Sequence, residues 1–218
     1  MSATTSLPET LCSEGSATTK ITDDDLRRFI YTALKQLGPR DDVLLLPPDF
    51  TRFHSQAGKI TQMICQYYNF IPTTTTTTAQ QPVGLTGTSE DSSPNIQSLP
   101  ALGTHAPMTN KELRTMYGDA LTDKKPFVVH DWRKDVVTIG EVPPEMVAKA
   151  TYGQVTDKPW PAQVNKLVWE KRLDLHQQAK RKPLVLSIGQ VVPHEGKRML
   201  VTRIVGTQAG TCMGMHSR

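Results

Sequence analysis

Val43-Leu-Leu-Leu-Pro-Pro-Asp-Phe-Thr-Arg-Phe-His54 is the stretch that decides the fold. Four apolar residues, Val43 to Leu46, run into Pro47 and Pro48. A short apolar run closed by turn signals predicts a buried strand. Proline cannot continue a central strand, so the chain leaves the sheet there. Asp49, Thr51, Arg52 and His54 are therefore delivered at the carboxyl end of a buried strand. In open α/β sheets that edge is where ligands sit.

The flanks agree with a layered α/β arrangement. Upstream, Thr22 is a helix cap, and Asp23, Asp24 and Asp25 follow in the first turn, where the helix dipole favours negative charge. Leu26, Phe29, Ile30, Ala33, Leu34 and Leu37 then fall on one face, and Gly38-Pro39 ends the helix. Downstream, Ala57 to Tyr68 predicts a second helix with Ile60, Met63, Ile64 and Tyr67 inward. Helix, strand and helix together make a piece of a mostly parallel sheet with flanking helices.

Further along, residues 70–97 carry six consecutive threonines, Thr73 to Thr78, then Gln, Pro, Gly and Ser. This reads as a low-complexity surface insertion. Ile96 to His105 predicts a strand whose Gly-containing exit presents His105. Thr109 with Glu112 three residues on is a capping-box pattern, and Gly118 ends that helix. Pro126 to His130 and Asp135 to Ile139 are short strand candidates. Residues 161–180 predict a helix through Val164, Leu167, Val168 and Leu175. Pro183 to Gly189 is a strand with Gln190 to His194 at its exit.

Three domain-level segments follow. Residues 1–20 are Ser/Thr-rich and read as a disordered N-terminus. Residues 21–195 read as one α/β domain carrying the 70–97 insertion. Residues 196–218 form a divergent tail with Lys197, Arg198, Arg203 and Arg218 but no acid.

Composition narrows the function classes. The 218 residues are 37% hydrophobic and 21% charged, enough for a globular core. A net charge of +4, spread along the chain, hints at anionic ligands and argues against nucleic acid. No apolar run approaches a membrane span, and the N-terminus has no basic start or apolar core of a secretory signal. Cys12, Cys65 and Cys212 lie far apart, with no disulfide framework or zinc spacing. A reducing, cytoplasmic setting is expected.

Asp49/Thr51/Arg52, His105 and His194 each follow a short apolar run, so parallel strands would bring them to one edge. Two histidines across a bound carbon form an acid/base pair, since imidazole titrates near neutrality. Arg52 would fork onto a carboxylate or phosphate. Each residue also has a plainer reading. Asp-x-Thr-Arg is commonly an Asx turn, and a lone histidine after a strand is commonly a turn residue. His130 reads as structural, and His54, His176 and His216 as solvent-facing. Asn165-Lys166 reads as an exposed helix face. No GxSxG, GxGxxG or GxxxxGK[ST] motif is present.

Pro47-Pro-Asp-Phe-Thr-Arg52, Ala101-Leu-Gly-Thr-His-Ala-Pro-Met-Thr-Asn-Lys-Glu-Leu113, Val164-Asn-Lys-Leu-Val168 and Ile188-Gly-Gln-Val-Val-Pro-His194 resemble, in order and spacing, motifs of the lactate racemase family, the nickel-pincer-nucleotide enzymes. The resemblance covers residues 22–195. It implies a Rossmann-like N-terminal domain and racemisation or epimerisation of a 2-hydroxy acid. The family moves a hydride to a nickel-pincer nucleotide while two histidines shuttle the hydroxyl proton. By matching motif, His105 and His194 are the acid/base histidines. Asp49, Thr51 and Arg52 contact cofactor or substrate.

The resemblance also exposes a departure. The family's Gly-rich segment with its tethering lysine, its nickel histidine and its C-terminal domain have no match after Glu195. A truncated chain that retains no cofactor is therefore expected, with a tail shaped by a shifted frame or an unspliced boundary. The alternative function is a catalytically silent module that binds an anion, a nucleotide or another chain. The substrate within the hydroxy acids and the oligomeric state stay open.

Overall fold

Asp42–Leu46 is the middle strand of a three-stranded, wholly parallel sheet. The computed structural model describes residues 9–73, 93–176 and 183–189, plus the backbone of 192–193, 199–200 and 211–212. In chain order these residues begin with β1 (Glu9–Thr10), α1 (Asp23–Leu37) and β2 (Asp42–Leu46). A 3-10 helix (Phe50–Ser55) leads into α2 (Ala57–Tyr67), β3 (Asn95–Ser98) and α3 (Asn110–Asp123). Then come β4 (Val136–Val142), α4 (Pro144–Ala150), β5 (Trp160–Asn165), α5 (Lys166–His176) and β6 (Pro183–Ser187). Three two-residue strands follow: β7 (Val192–Pro193), β8 (Met199–Leu200) and β9 (Thr211–Cys212).

The main sheet has the order β3-β2-β6, with Val43 level with Ile96 on one side and Leu184 on the other. Parallel strands need cover on both faces, and β2 has it. Val43 and Leu45 join Ile30, Leu34, Ile60, Ile64, Ile96 and Leu184 in one core, on the α1 and α2 face. Leu44 points the other way and is also fully buried. Burying a leucine contributes about 1.5–3 kcal/mol, so β2 is the apolar axis of the fold. The α/β class, with a Rossmann-like parallel sheet between helices, is the one read from the sequence.

The helices start where local chemistry directs. Thr22 accepts from the Asp25 N–H at 3.2 Å, and the Asp25 carboxylate accepts from the Thr22 N–H at 3.1 Å. Thr109 and Glu112 make the same reciprocal pair at 3.3 and 2.7 Å. Two such capping boxes satisfy N–H groups that a helix start leaves unpaired. Gly118 does not end α3. It adopts φ 75°, a conformation glycine reaches without strain, and kinks the helix. Arg114 spans the kink to Asp119 and Asp123, both at 2.6 Å.

Two strand readings change. Residues 161–165, expected as the start of a helix, belong to β5 and pair antiparallel with β4. The ladder partner 20-odd positions upstream outweighs the helical spacing of Val164, Leu167 and Val168. Asn165 is the switch point: its side chain accepts from the Leu167 and Val168 N–H groups at 2.9 and 3.4 Å and caps α5. Pro126 to His130 is not a full strand. It touches β3 through a single parallel bridge, Ser98 to Phe127. The second, antiparallel sheet lay beyond the sequence reading. Most of the Thr-rich insertion and the tail lies outside the described residues.

Candidate active site

All three strands of the main sheet point their carboxyl ends the same way. Beyond the strand ends the pairing continues, with the Leu99 N–H on the Leu45 carbonyl and the Ala101 N–H on the Pro47 carbonyl, both 2.8 Å. On the other side the Ile188 N–H reaches the Leu46 carbonyl at 3.0 Å. The exits of β2, β3 and β6 therefore share one edge. The bridge to Phe127 adds the segment leading to His130 to the same edge.

At that edge Asp49 caps the 3-10 helix, and its side chain is only 8% exposed. One carboxylate oxygen accepts from the Thr51 N–H at 3.2 Å and the Thr51 hydroxyl at 2.5 Å. The other meets His105 Nδ1 at 2.6 Å. Burial pushes the Asp49 carboxyl upward, but the bonds from Thr51 and His105 outweigh it and hold the group below the usual carboxylate range. An ionised carboxylate only accepts, so His105 Nδ1 carries the hydrogen, and in the neutral ring Nε2 then presents its lone pair. The His105 side chain is 58% exposed. Asp49 thus forms the Asx turn with one carboxylate oxygen and meets His105 with the other.

Thr51 and Arg52 stand on the exposed side of the 3-10 helix. The Arg52 guanidinium makes no ion pair among the described residues, which leaves it available to an anion. His54 is exposed, as expected. His194 and residues 190–191 before it lie outside the described residues. His176 and His216 do as well, as far as their side chains are concerned.

Three residues carry more than their sequence suggested. Tyr117 is fully buried and donates to the Pro48 carbonyl at 3.1 Å, tying α3 to the residue before Asp49. Burial, and then the nearby Asp49 charge, push its phenol upward, so it stays a donor. No local feature of the sequence points Tyr117 at the Pro48 carbonyl, 69 positions away. His130 and Asn165 form a second polar pair, His130 Nδ1 lying 2.8 Å from Asn165 Nδ2. Asn165 is half-buried and not the exposed helix face that was expected. A small apolar pocket lined by Pro100, Leu102, Met108, Phe127, Val128 and Val129, among others, lies between the segments leading to His105 and His130.

Among the described residues no group of three or more His, Cys, Asp or Glu side chains comes together to hold a metal ion. Asp49 is bonded to Thr51 and His105, which leaves the two residues only His105 Nε2 to offer, and one ring nitrogen does not fit a nickel centre.

No family model matches the chain, and no curated protein matches it. Among solved structures it is similar to the lactate racemase apoprotein from Thermoanaerobacterium thermosaccharolyticum, at 15% identity and a TM-score of 0.49. The match covers 94% of this chain and 39% of that one, so this chain spans well under half its length.

Proposed function

We propose that the edge carrying Asp49 and His105 binds a 2-hydroxy acid and handles its hydroxyl proton, as part of a lactate-racemase-type isomerisation. The observation that carries this reading is the 2.6 Å contact between the nearly buried Asp49 carboxylate and His105 Nδ1. It holds the ring by Nδ1 and leaves Nε2 without a hydrogen-bond partner among the described residues. In this reading Arg52 forks onto the substrate carboxylate. His105 Nε2 accepts the hydroxyl proton, and the Asp49 charge stabilises the imidazolium that results. Thr51 holds the second Asp49 oxygen, so the carboxylate does not rotate away. Motif order assigns the return of the proton to His194. The family's nickel-pincer nucleotide, the hydride acceptor of the resemblance, finds no donor set among the described residues. What this chain supplies is binding and proton transfer.

A second reading has its own support. With its side chain 58% exposed, His105 is open to water, which suits an anion-binding module without turnover.

The test is to supply the full chain with nickel-pincer nucleotide and L-lactate and to follow D-lactate with a stereospecific assay. The isomerase reading expects D-lactate, with His105→Ala lowering the rate about 10²–10⁴-fold. Lactate binding without D-lactate selects the second reading. No binding and no D-lactate removes both.

A further inference from the structure

The pair formed by Asn165 and His130 has a determined proton arrangement. The Asn165 side-chain oxygen accepts from two α5 N–H groups, at 2.9 and 3.4 Å. The amide cannot be flipped without setting its NH₂ against both donors. Asn165 Nδ2 therefore faces His130 at 2.8 Å and can only donate. His130 Nδ1 must accept, and the ring hydrogen sits on Nε2. At His105 the carboxylate imposes the reverse on the neutral ring: hydrogen on Nδ1, lone pair on Nε2. One sheet edge thus carries two histidines with opposite proton placement.

Both approach that edge on adjacent parallel segments. The Ser98 N–H bonds the Pro126 carbonyl at 2.9 Å and the Val128 N–H bonds the Ser98 carbonyl at 2.8 Å, so the chain leaves toward His130 beside the chain that leaves toward His105. The apolar pocket lined by Pro100 and Leu102 on one side and Val128 and Val129 on the other joins the two exits. His130 is half-buried, and no hydrogen bond among the described residues occupies its Nε2.

We propose that His130 is a second ligand-facing histidine, whose Nε2–H donates to an oxygen of the hydroxy acid while His105 Nε2 accepts from its hydroxyl. This rests on the reading that the edge binds a 2-hydroxy acid. It gives His130 a role in recognition, with Asn165 as its positioning residue.

The test uses the full chain labelled with ¹⁵N and long-range ¹H–¹⁵N correlations of the imidazole rings, with L-lactate as the probe. At rest His130 is expected as the Nε2–H tautomer and His105 as the Nδ1–H tautomer; an Nδ1–H resting state for His130 overturns the proposal. On adding lactate, ring signals of both histidines are expected to shift. A shift at His105 alone overturns the role of His130 and leaves the proposed function standing. A shift at neither histidine removes the proposed function itself, and this inference with it. Asn165→Asp keeps a helix cap but turns the donor facing His130 into an acceptor. It is expected to flip the His130 tautomer and weaken lactate about tenfold. Gln163→Glu, on the exposed side of β5, adds the same charge without touching His130. Equal weakening by both variants overturns the proposal.

Discussion

The parallel sheet and the β4–β5 sheet are strands of one chain under opposite conditions. In β2 the side chains of Val43, Leu44 and Leu45 are fully buried, whichever face they point to. In the antiparallel pair, Ile139 is 54% and Trp160 65% exposed. A parallel sheet needs helices on both faces, whereas a two-stranded antiparallel ribbon tolerates water. The first is the platform and holds Asp49 and His105 at its edge. The second adds little core and contributes the Asn165 that caps α5 and grips His130. The proposed site residues Asp49 and His105 stand at the edge of the buried sheet, and the exposed sheet supplies the partner of His130.

The comparison breaks most sharply at the base of the platform. Asp42 and Lys171 form a buried ion pair between β2 and α5, and Asn95 Nδ2 donates to the same Asp42 at 3.1 Å. Lys171→Met leaves a buried carboxylate without its cation, and we expect a loss of about 3–5 kcal/mol in urea unfolding. Adding Asp42→Asn should return much of it, since the uncompensated charge is then gone. A single variant as stable as the parent would mean the pair is open to water.

The next effect lies where two helices touch. A Cβ on Gly58 would stand 2.0 Å from the Met116 carbonyl oxygen of α3, a backbone atom that cannot step aside. Gly58→Ala is expected to cost about 3 kcal/mol, read by the same unfolding curve. Because α3 carries Tyr117 and its bond to the Pro48 carbonyl, the variant should also disturb the His105 ring signals. An unchanged His105 would separate helix packing from the site.

Acid offers a graded comparison. The Thr22 hydroxyl, with Arg28 and the Thr22 N–H adding to it, holds the Asp25 carboxyl down from 3.8 to about 2. Asp49 is also held below its ordinary value, despite burial, by Thr51 and His105. A group with a lowered folded pKa stabilises above its unfolded pKa and loses that contribution as pH falls through its folded one. The start of α1 should therefore hold at pH 4 and fray toward pH 2, followed by far-ultraviolet circular dichroism. Fraying already complete at pH 4 would remove the capping box as its cause.

The smallest effect belongs to the exposed sheet. Trp160→Ser should change stability by less than about 0.5 kcal/mol. A loss several times larger would show that the exposed face is covered in solution, and would narrow the contrast between the two sheets.

Much of this was legible in the sequence. Apolar spacing located α1 and α2, Val43 to Leu46 located the central strand, and Thr22 and Thr109 marked two helix starts. These features depend on neighbours within about four positions, so the sequence carries both partners of each interaction. Residues 161–165 were misread for the complementary reason, since a distant strand supplies the ladder. Gly118 was misread because the helix resumes past its kink, bridged by Arg114 to Asp119 and Asp123. Asp49, Thr51, Arg52 and His105 were named as candidates from strand exits. Tyr117, Asn165 and Lys171 were not, because nothing local to them signals their partners.

By itself, then, the sequence determined the α/β class, the apolar axis at Val43 to Leu46 and the polar groups that follow each strand. Short-range hydrogen bonds and side-chain periodicity suffice for those. Only the tertiary structure decided which groups meet. Asp49 and His105 are 56 positions apart, His130 and Asn165 are 35, and Asp42 and Lys171 are 129. Which nitrogen of each histidine holds its hydrogen depends on those distant partners, since a carboxylate accepts and an oriented amide donates.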